Sequence, residues 1–172
     1  MNYSDIKKID IANGPGCRVS LFVSGCTHRC KNCFNKETWD FRFGKEFTND
    51  TINEIIDYIN PSYIKGLTLL GGDPMEYVNI KGLLPLLRRI KKEYPDKNIW
   101  CFTGYLFEEL LNKLDDKYYK EILSYIDVLV DGEFKEELKS LNLKFKGSSN
   151  QRTILVQESL KEKEIILYKE FN

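Results

Sequence analysis

The stretch that decides the fold is Cys26–Asn35, written CTHRCKNCFN. It contains three of the chain's five cysteines, with three residues between the first two and two residues between the second pair. Three thiols at this spacing predict a metal centre, but a tetrahedral metal site normally has four protein ligands. The missing ligand is either His28, in a structural zinc site, or a position left open in an iron–sulfur cluster.

The composition is that of a globular protein that can fold without disulfides. The 172 residues are 42% hydrophobic and 30% charged, which suits one domain with its own core. Lys plus Arg equals Asp plus Glu at 26 each, so no basic surface for nucleic acid or for an anionic membrane is expected. We therefore predict one domain, residues 1–172, with neither a nucleic-acid nor a membrane partner.

The chain carries no sign of export. No apolar run approaches the ~18 residues of a membrane span, and the start, MNYSDIKKIDIANG, does not resemble a signal peptide. These features predict a cytoplasmic protein, in which thiols stay reduced. The odd number and tight clustering of the cysteines then favour metal binding over disulfides.

Short apolar runs alternate with helical patterns along the chain. Strands are predicted before the NGPG turn of residues 13–16, and then over residues 18–24, 66–70, 98–102, 128–130, 153–156 and 164–168. Helices are predicted over residues 48–60, 80–94, 107–114 and 118–125, with Pro85 near the first turn of the second helix. This alternation predicts a mostly parallel sheet with right-handed crossovers.

Four short segments follow four of these strands: CTHRCKNC, GGDP, TGY and DG. Ligands of parallel α/β folds bind at the carboxyl ends of the strands, so we expect the four segments to share one rim. GGDP, TGY and DG are each typical of a simple turn when taken alone. Cys101, in an apolar strand, and Cys17, beside the NGPG turn, are interpreted as structural thiols.

The two candidate metal sites differ in how they use the cysteines. Zinc modules usually bring their ligands as two separated pairs, whereas all the candidates here lie in one short loop. Electron-transfer iron–sulfur clusters normally have four cysteine ligands, so a cluster with three would leave one iron open for a substrate or cofactor. The residues favour the cluster, and a zinc site that includes His28 remains the alternative.

At this point the motifs carry a resemblance. CxxxCxxC followed by GGDP after the next strand resembles the radical S-adenosylmethionine superfamily. More narrowly, the chain is similar to the glycyl-radical-enzyme activating family, in particular to activators of anaerobic ribonucleoside-triphosphate reductase. The matching segments are DIANGPGCRVSLFVSGCTHRCKNCFNKETW, GGDP, IWCFTGY, DVLVDGEF and KGSSNQR, which span nearly residues 9–152 in order. The resemblance implies an α/β fold: one radical S-adenosylmethionine domain forming a partial, open (β/α) barrel of about five or six mostly parallel strands.

The resemblance also implies a site. Cys26, Cys30 and Cys33 would be the catalytic thiols that hold three irons of one [4Fe-4S] cluster, and the open iron would bind S-adenosyl-L-methionine. His28 would then lie near the cluster without binding it. The implied cofactor-binding residues are Asn32, Cys33 and Phe34 beside the adenine, Gly71, Gly72 and Asp73 along the methionine, and Thr103 and Asp131 on the same rim.

The activity implied by the resemblance is reductive cleavage of S-adenosylmethionine to methionine and a 5′-deoxyadenosyl radical, which then generates a glycyl radical on a reductase. The implied partners are the catalytic subunit of an anaerobic ribonucleoside-triphosphate reductase and a low-potential electron donor such as flavodoxin, and the family allows a homodimer. Two alternatives remain at this point. One is activation of another glycyl-radical enzyme such as pyruvate formate-lyase, and the other is a noncatalytic zinc-binding adaptor.

Overall fold

A computed structural model describes all residues, 1–172, as one sheet with five α-helices. The strands are β1 (Asn2–Asp10), β2 (Cys17–Val23), β3 (Lys45–Glu46), β4 (Ile64–Gly71), β5 (Asn98–Phe102), β6 (Val128–Asp131) and β7 (Arg152–Leu155). The α-helices are α1 (Asn49–Ile59), α2 (Tyr77–Glu93), α3 (Phe107–Leu111), α4 (Lys117–Tyr125) and α5 (Val156–Glu162). None of these helices combines the length and the apolar character needed to cross a membrane.

The sheet has seven strands in the order β3-β1-β2-β4-β5-β6-β7. The central pairs β2–β4, β4–β5 and β5–β6 are parallel, and the pairs β1–β2, β1–β3 and β6–β7 are antiparallel. The predicted α/β class is therefore confirmed, as is the parallel centre. The expected five or six strands become seven, because a two-residue edge strand, β3, pairs with β1.

The strand register separates two faces of the sheet. One row across the four parallel strands consists of Ser20, Thr68, Trp100 and Val128. The next row consists of Leu21, Leu69, Cys101 and Leu129. Because side chains alternate along a strand, the two rows point to opposite faces. The second row packs with helices α1–α4 in the main hydrophobic core, and the first row faces the side on which the candidate site opens.

Helix α1 forms where the sequence predicts it, one residue shorter at each end. The Thr48 side chain accepts a hydrogen bond from the Thr51 backbone N–H, and the Thr51 side chain accepts one from the Thr48 backbone N–H, which is a capping box. The isoleucines of the predicted stripe are buried against the sheet: Ile52, Ile55, Ile56 and Ile59. The capping residues and the isoleucine stripe both predict a helix over the same residues, which explains why the sequence prediction was accurate here.

Helix α2 begins at Tyr77, three residues before the predicted start. The residue ahead of it, Glu76, makes no side-chain cap bond, since its carboxylate accepts hydrogen bonds from Thr27 instead. Pro85 consequently lies inside the helix rather than near its first turn. Pro85 is exposed, so water can replace the backbone hydrogen bond that proline cannot donate.

The end of the chain differs from the prediction. The strand expected over residues 164–168 is wrong: only an isolated bridge joins Leu167 to Ile154, and a short 3₁₀ turn, Lys169–Phe171, follows. The rings of Tyr168 and Phe171 lie 6.3 and 5.6 Å from that of Trp100. This segment therefore does not extend the sheet. Its aromatic rings cover the face of the sheet that lies opposite helices α1–α4.

Arg18 on β2 is a charged residue on the same face of the sheet, opposite helices α1–α4, and it is fully buried. Its Nε donates to Thr68 Oγ1 at 2.7 Å and its Nη1 donates to Asn98 Oδ1 at 2.7 Å. The guanidinium also lies 5.6 Å from the Trp100 ring centroid. Burial lowers the pKa of Arg18 to about 10, so the group keeps its charge at neutral pH. It thereby joins β2 to both β4 and β5.

We expect Arg18→Met to lower the free energy of unfolding by about 2–4 kcal/mol, because it leaves buried acceptors such as the Asn98 side chain without a donor. Denaturant titration under anaerobic conditions measures the loss. The matched control, Lys92→Met on the exposed side of α2, is expected to stay within about 0.5 kcal/mol of the parent. Equal midpoints for the two variants would contradict the structural role of Arg18.

Candidate functional site

The carboxyl ends of β2, β4, β5 and β6 surround an open cavity of about 180 Å³. The predicted site residues that line it are Cys26, Cys30, Cys33, Phe34, Gly71, Gly72, Asp73 and Thr103. The turn after β6 contributes Gly132. The prediction that the four segments following the strands share one rim is confirmed. Residues 26–35 are called the cysteine loop below.

All three thiols of the cysteine loop are free and face this cavity. Burial, followed by the nearby Asp73 carboxylate, raises the pKa of Cys26 to about 12. Burial likewise raises the pKa of Cys30, and the Glu133 carboxylate adds to the effect. Metal ligation requires thiolates, so binding of a metal group here must displace these protons. Three thiols that line one cavity match the number of cysteine ligands in an iron–sulfur cluster with one iron left open.

His28 answers the question raised by the missing fourth ligand. Its Nδ1 lies 2.9 Å from Oε1 of Glu133, and its Nε2 lies 3.1 Å from Oδ2 of Asp73. The second contact has the distance of an ion pair, although its angle departs from hydrogen-bond geometry. The Asp73 carboxylate is the main reason that the pKa of His28 rises to about 9. Both ring nitrogens therefore face carboxylates, and the geometry disfavours a zinc site of three cysteines and His28.

Asp73 is only 1% exposed and is surrounded by protein donors. The Thr103 hydroxyl donates to it at 2.8 Å, the Gly104 backbone N–H at 2.9 Å and the Met75 backbone N–H at 2.8 Å. Thr103, predicted only as a cofactor contact, thus also positions Asp73. The carboxylate joins the ends of β4 and β5, and its direct contact with a cofactor stays a prediction.

The two glycines of GGDP have a packing role that the sequence did not reveal. Gly71 has φ +106°, and a Cβ there would lie 2.7 Å from the carbonyl oxygen of Val23. A Cβ on Gly72 would lie 2.5 Å from the carbonyl oxygen of Gly25. Glycine was predicted here so that the backbone could approach a cofactor. The structure adds that only glycine lets this turn lie against the start of the cysteine loop.

The two other predicted cofactor contacts in the cysteine loop, Phe34 and Asn32, differ in position. Phe34 reaches the cavity although it is 64% exposed, and its ring lies 5.1 Å from that of Phe134. Asn32 does not line the cavity, and its side-chain amide donates to Glu136 at 2.5 Å. An adenine contact through the Asn32 side chain would require this hydrogen bond to break.

Asp131 is fully buried but does not line the cavity. Its carboxylate accepts a hydrogen bond from the Phe107 backbone at 2.8 Å and pairs with Arg152. The next residue, Gly132, is the one that reaches the cavity. The structure therefore gives the Asp131 side chain a role at the junction of β6, β7 and α3.

Gly104 and His28 were expected near the site and line the cavity, whereas several other cavity residues were not predicted: Asn35, Trp39, Leu70, Phe102, Phe134, Gly147 and Gln151. The NKETW and GSSNQR segments contain four of them and were the available signal. Gln151 accepts a hydrogen bond from the Gly147 backbone at 2.8 Å and donates to the Gly132 carbonyl at 2.9 Å. These bonds join the two ends of residues 133–150, which lie beside the cavity. This segment is called the strap below.

Comparisons with known proteins agree with a protein that carries one iron–sulfur cluster. Residues 12–154 match the family model described as a 4Fe-4S single cluster domain. A protein of Enterobacteria phage T4 is 43% identical over 152 residues, which cover 88% of this chain and 92% of the relative. Relatives from Haemophilus influenzae and Escherichia coli K12 are 46% and 44% identical over 153 residues, 88% of this chain and 96% of each relative. All three are named anaerobic ribonucleoside-triphosphate reductase-activating protein. The chain belongs to this family of activating proteins.

Metal retention should separate the thiols from His28. We expect Cys26→Ala, Cys30→Ala and Cys33→Ala each to lose iron, because two thiolates are too few to hold the cluster. His28→Ala should keep its iron, since the imidazole faces carboxylates rather than the thiols. Iron and sulfide analysis of anaerobically reconstituted protein measures the difference. Loss of metal from His28→Ala as complete as from Cys30→Ala would restore the zinc alternative.

The two other cysteines provide matched controls. Cys17 lies at the start of β2, at the opposite end of the strand from the cysteine loop, and Cys101 is fully buried in β5. Cys17→Ser and Cys101→Ala should both retain iron. Cys101→Ala should also lose about 1 kcal/mol of stability through a small cavity in the core. Iron loss in either variant would mean that the cluster uses a thiol outside the cysteine loop.

Proposed function

We propose that this chain activates an anaerobic ribonucleoside-triphosphate reductase by generating a glycyl radical on its catalytic subunit. The observation that carries the proposal is that the thiols of Cys26, Cys30 and Cys33 share one open cavity with the GGDP turn. The names of the relatives support the choice of partner. Activation of pyruvate formate-lyase is the alternative within the same chemistry.

The residues present fit a [4Fe-4S] cluster and S-adenosylmethionine. The three thiolates would hold three irons, and the GGDP turn would border the methionine end of the cofactor. When bound, the reduced cluster supplies the electron that cleaves S-adenosylmethionine to methionine and a 5′-deoxyadenosyl radical. The apolar side chains of Leu70, Phe102 and Phe134 line the same cavity and would limit the access of water to a reactive species.

The protein side of this chemistry is positioning rather than proton transfer. Asp73 is fixed by Thr103 and Gly104, so its charge is available at a constant place beside the cavity. His28 is already engaged by two carboxylates and is not offered as a general base. Removal of a hydrogen atom from a glycine needs no such base, which agrees with this arrangement.

The fold we propose for this activity is the partial radical S-adenosylmethionine barrel. The strand order places β3 and β7 at opposite edges of the sheet, so one side is open. A glycine loop of a protein substrate needs an opening of this kind. Flavodoxin as electron donor and assembly into a homodimer stay predictions.

Asp73→Asn tests the cofactor site. The variant should keep its cluster, because no thiol changes, but bind S-adenosylmethionine at least about tenfold more weakly, equivalent to about 1.4 kcal/mol, since a fixed negative charge beside the cofactor is lost. Anaerobic equilibrium dialysis with cluster-loaded protein measures the affinity. Glu37→Gln, an exposed acid outside the cavity, is the matched control. Unchanged affinity in cluster-loaded Asp73→Asn would remove Asp73 from the site.

The proposed function itself is tested by electron paramagnetic resonance. The protein is mixed anaerobically with dithionite, S-adenosylmethionine and the catalytic subunit of an anaerobic ribonucleoside-triphosphate reductase. We expect a glycyl-radical signal with wild-type protein and none with Cys30→Ala. A parallel reaction with pyruvate formate-lyase decides between the two partners. Absence of the signal on the reductase, from protein with a full cluster and bound cofactor, would refute the proposal.

A further inference from the structure

A second cavity lies on the other side of Cys26. It measures about 700 Å³ and is lined by Cys26, Thr27, Arg29, Trp39, Asp40 and Phe41. Cys26 and Trp39 line both cavities and therefore form the wall between them. No strap residue contributes to the second cavity. It gives access to a proposed cluster ligand without passing through the cofactor site.

The rim of this second cavity is basic. Residues 26–45 contain five Lys or Arg but only two Asp or Glu, in a chain whose net charge is zero. Arg29 lines the cavity, and the Lys36 ammonium group lies 6.0 Å from the ring centroid of Trp39. The Arg42 side chain is 91% exposed and lies 3.4 Å from the Asp40 carboxylate. The cations thus outnumber the acids along this segment, and Arg29, Lys36 and Arg42 face solvent.

The strap, on the other side of the cysteine loop, is nearly balanced in charge, with four Lys and three Glu in residues 133–150. There the strap places Glu133 against His28 at 2.9 Å and Glu136 against Asn32 at 2.5 Å. An acidic protein approaching from the strap side would meet about as many acids as bases, whereas one approaching the second cavity would meet the basic rim. Charge patterns of this kind select the orientation of encounter between proteins.

We propose that the second cavity and its basic rim are the docking site of a small acidic protein that donates single electrons to the cluster. This inference rests on the proposed function, which needs one electron for each cleavage. In the transfer, the donor is oxidised by one electron and the cluster is reduced by one electron, and no covalent bond forms or breaks. Because the first cavity stays free, the donor can dock while the cofactor and the reductase occupy the other side.

The test uses cluster-loaded full-length protein and flavodoxin hydroquinone as the probe donor. The variant Lys36→Glu/Arg42→Glu reverses two charges of the rim and changes no residue of the cofactor cavity. The control variant Lys92→Glu/Lys120→Glu reverses two exposed charges on α2 and α4. Stopped-flow absorbance follows reduction of the cluster, and flavodoxin binding to each variant is measured directly at low and high ionic strength.

We expect the rim variant to be reduced by flavodoxin about tenfold more slowly at low ionic strength and to bind it correspondingly more weakly. The difference should shrink at high salt, where charges are screened. Reduction by dithionite, which needs no docking site, should equal that of the wild type, and the control variant should behave as wild type throughout.

Two results would overturn the docking site. One is a rim variant that matches the wild type, or matches an equally impaired control variant, in reduction by flavodoxin. The other is loss of glycyl-radical formation by the rim variant when dithionite is the reductant, which would assign this face to the reductase instead. Failure of the proposed function looks different. Wild-type protein would then form no glycyl radical with dithionite, while flavodoxin binding to the rim would still be measured on its own.

Discussion

A buried carboxylate without donors would be costly, and the donors around Asp73 come from separate parts of the chain. The donors Thr103 and Gly104 follow β5, whereas His28, which makes an ionic contact, belongs to the cysteine loop. This one charge therefore contacts the cysteine loop, the GGDP turn and the end of β5, and it helps to hold the three segments together. All three segments line the cavity that the three thiols face.

The sequence predicts those parts of the fold that depend on local patterns. The four parallel strands and helix α1 with its capping box were predicted within one or two residues of their observed bounds, and the rim motifs follow from parallel pairing. The sequence did not predict the roles of side chains whose hydrogen-bond partners lie far away along the chain. The carboxylate of Asp131 is used by Arg152, 21 residues away, and the Glu76 carboxylate by Thr27, 49 residues away. No local signal distinguishes such tertiary partners from free site residues.

The cysteine loop is held from both sides before any metal binds. On one side, backbone hydrogen bonds join Gly25 to Thr38 at 2.7 Å and Cys26 to Trp39 at 3.3 Å. On the other, the strap contributes the carboxylates that face His28 and Asn32. Asn32 also has a positive φ of 52°, a conformation that costs free energy outside glycine. The surrounding contacts offset this strain and hold the cysteine loop beside the cavity.

The placement of the five thiols also determines how the protein responds to air. A disulfide requires Cα atoms within about 7 Å. Cys17 is separated from the cysteine loop by the length of β2, roughly 20 Å at the usual rise per residue, and Cys101 is sealed in the core. After oxidative loss of a cluster, the folded chain can therefore form a disulfide only within the cysteine loop. Such damage is local, so a thiol reductant and fresh iron can repair the site without unfolding the protein.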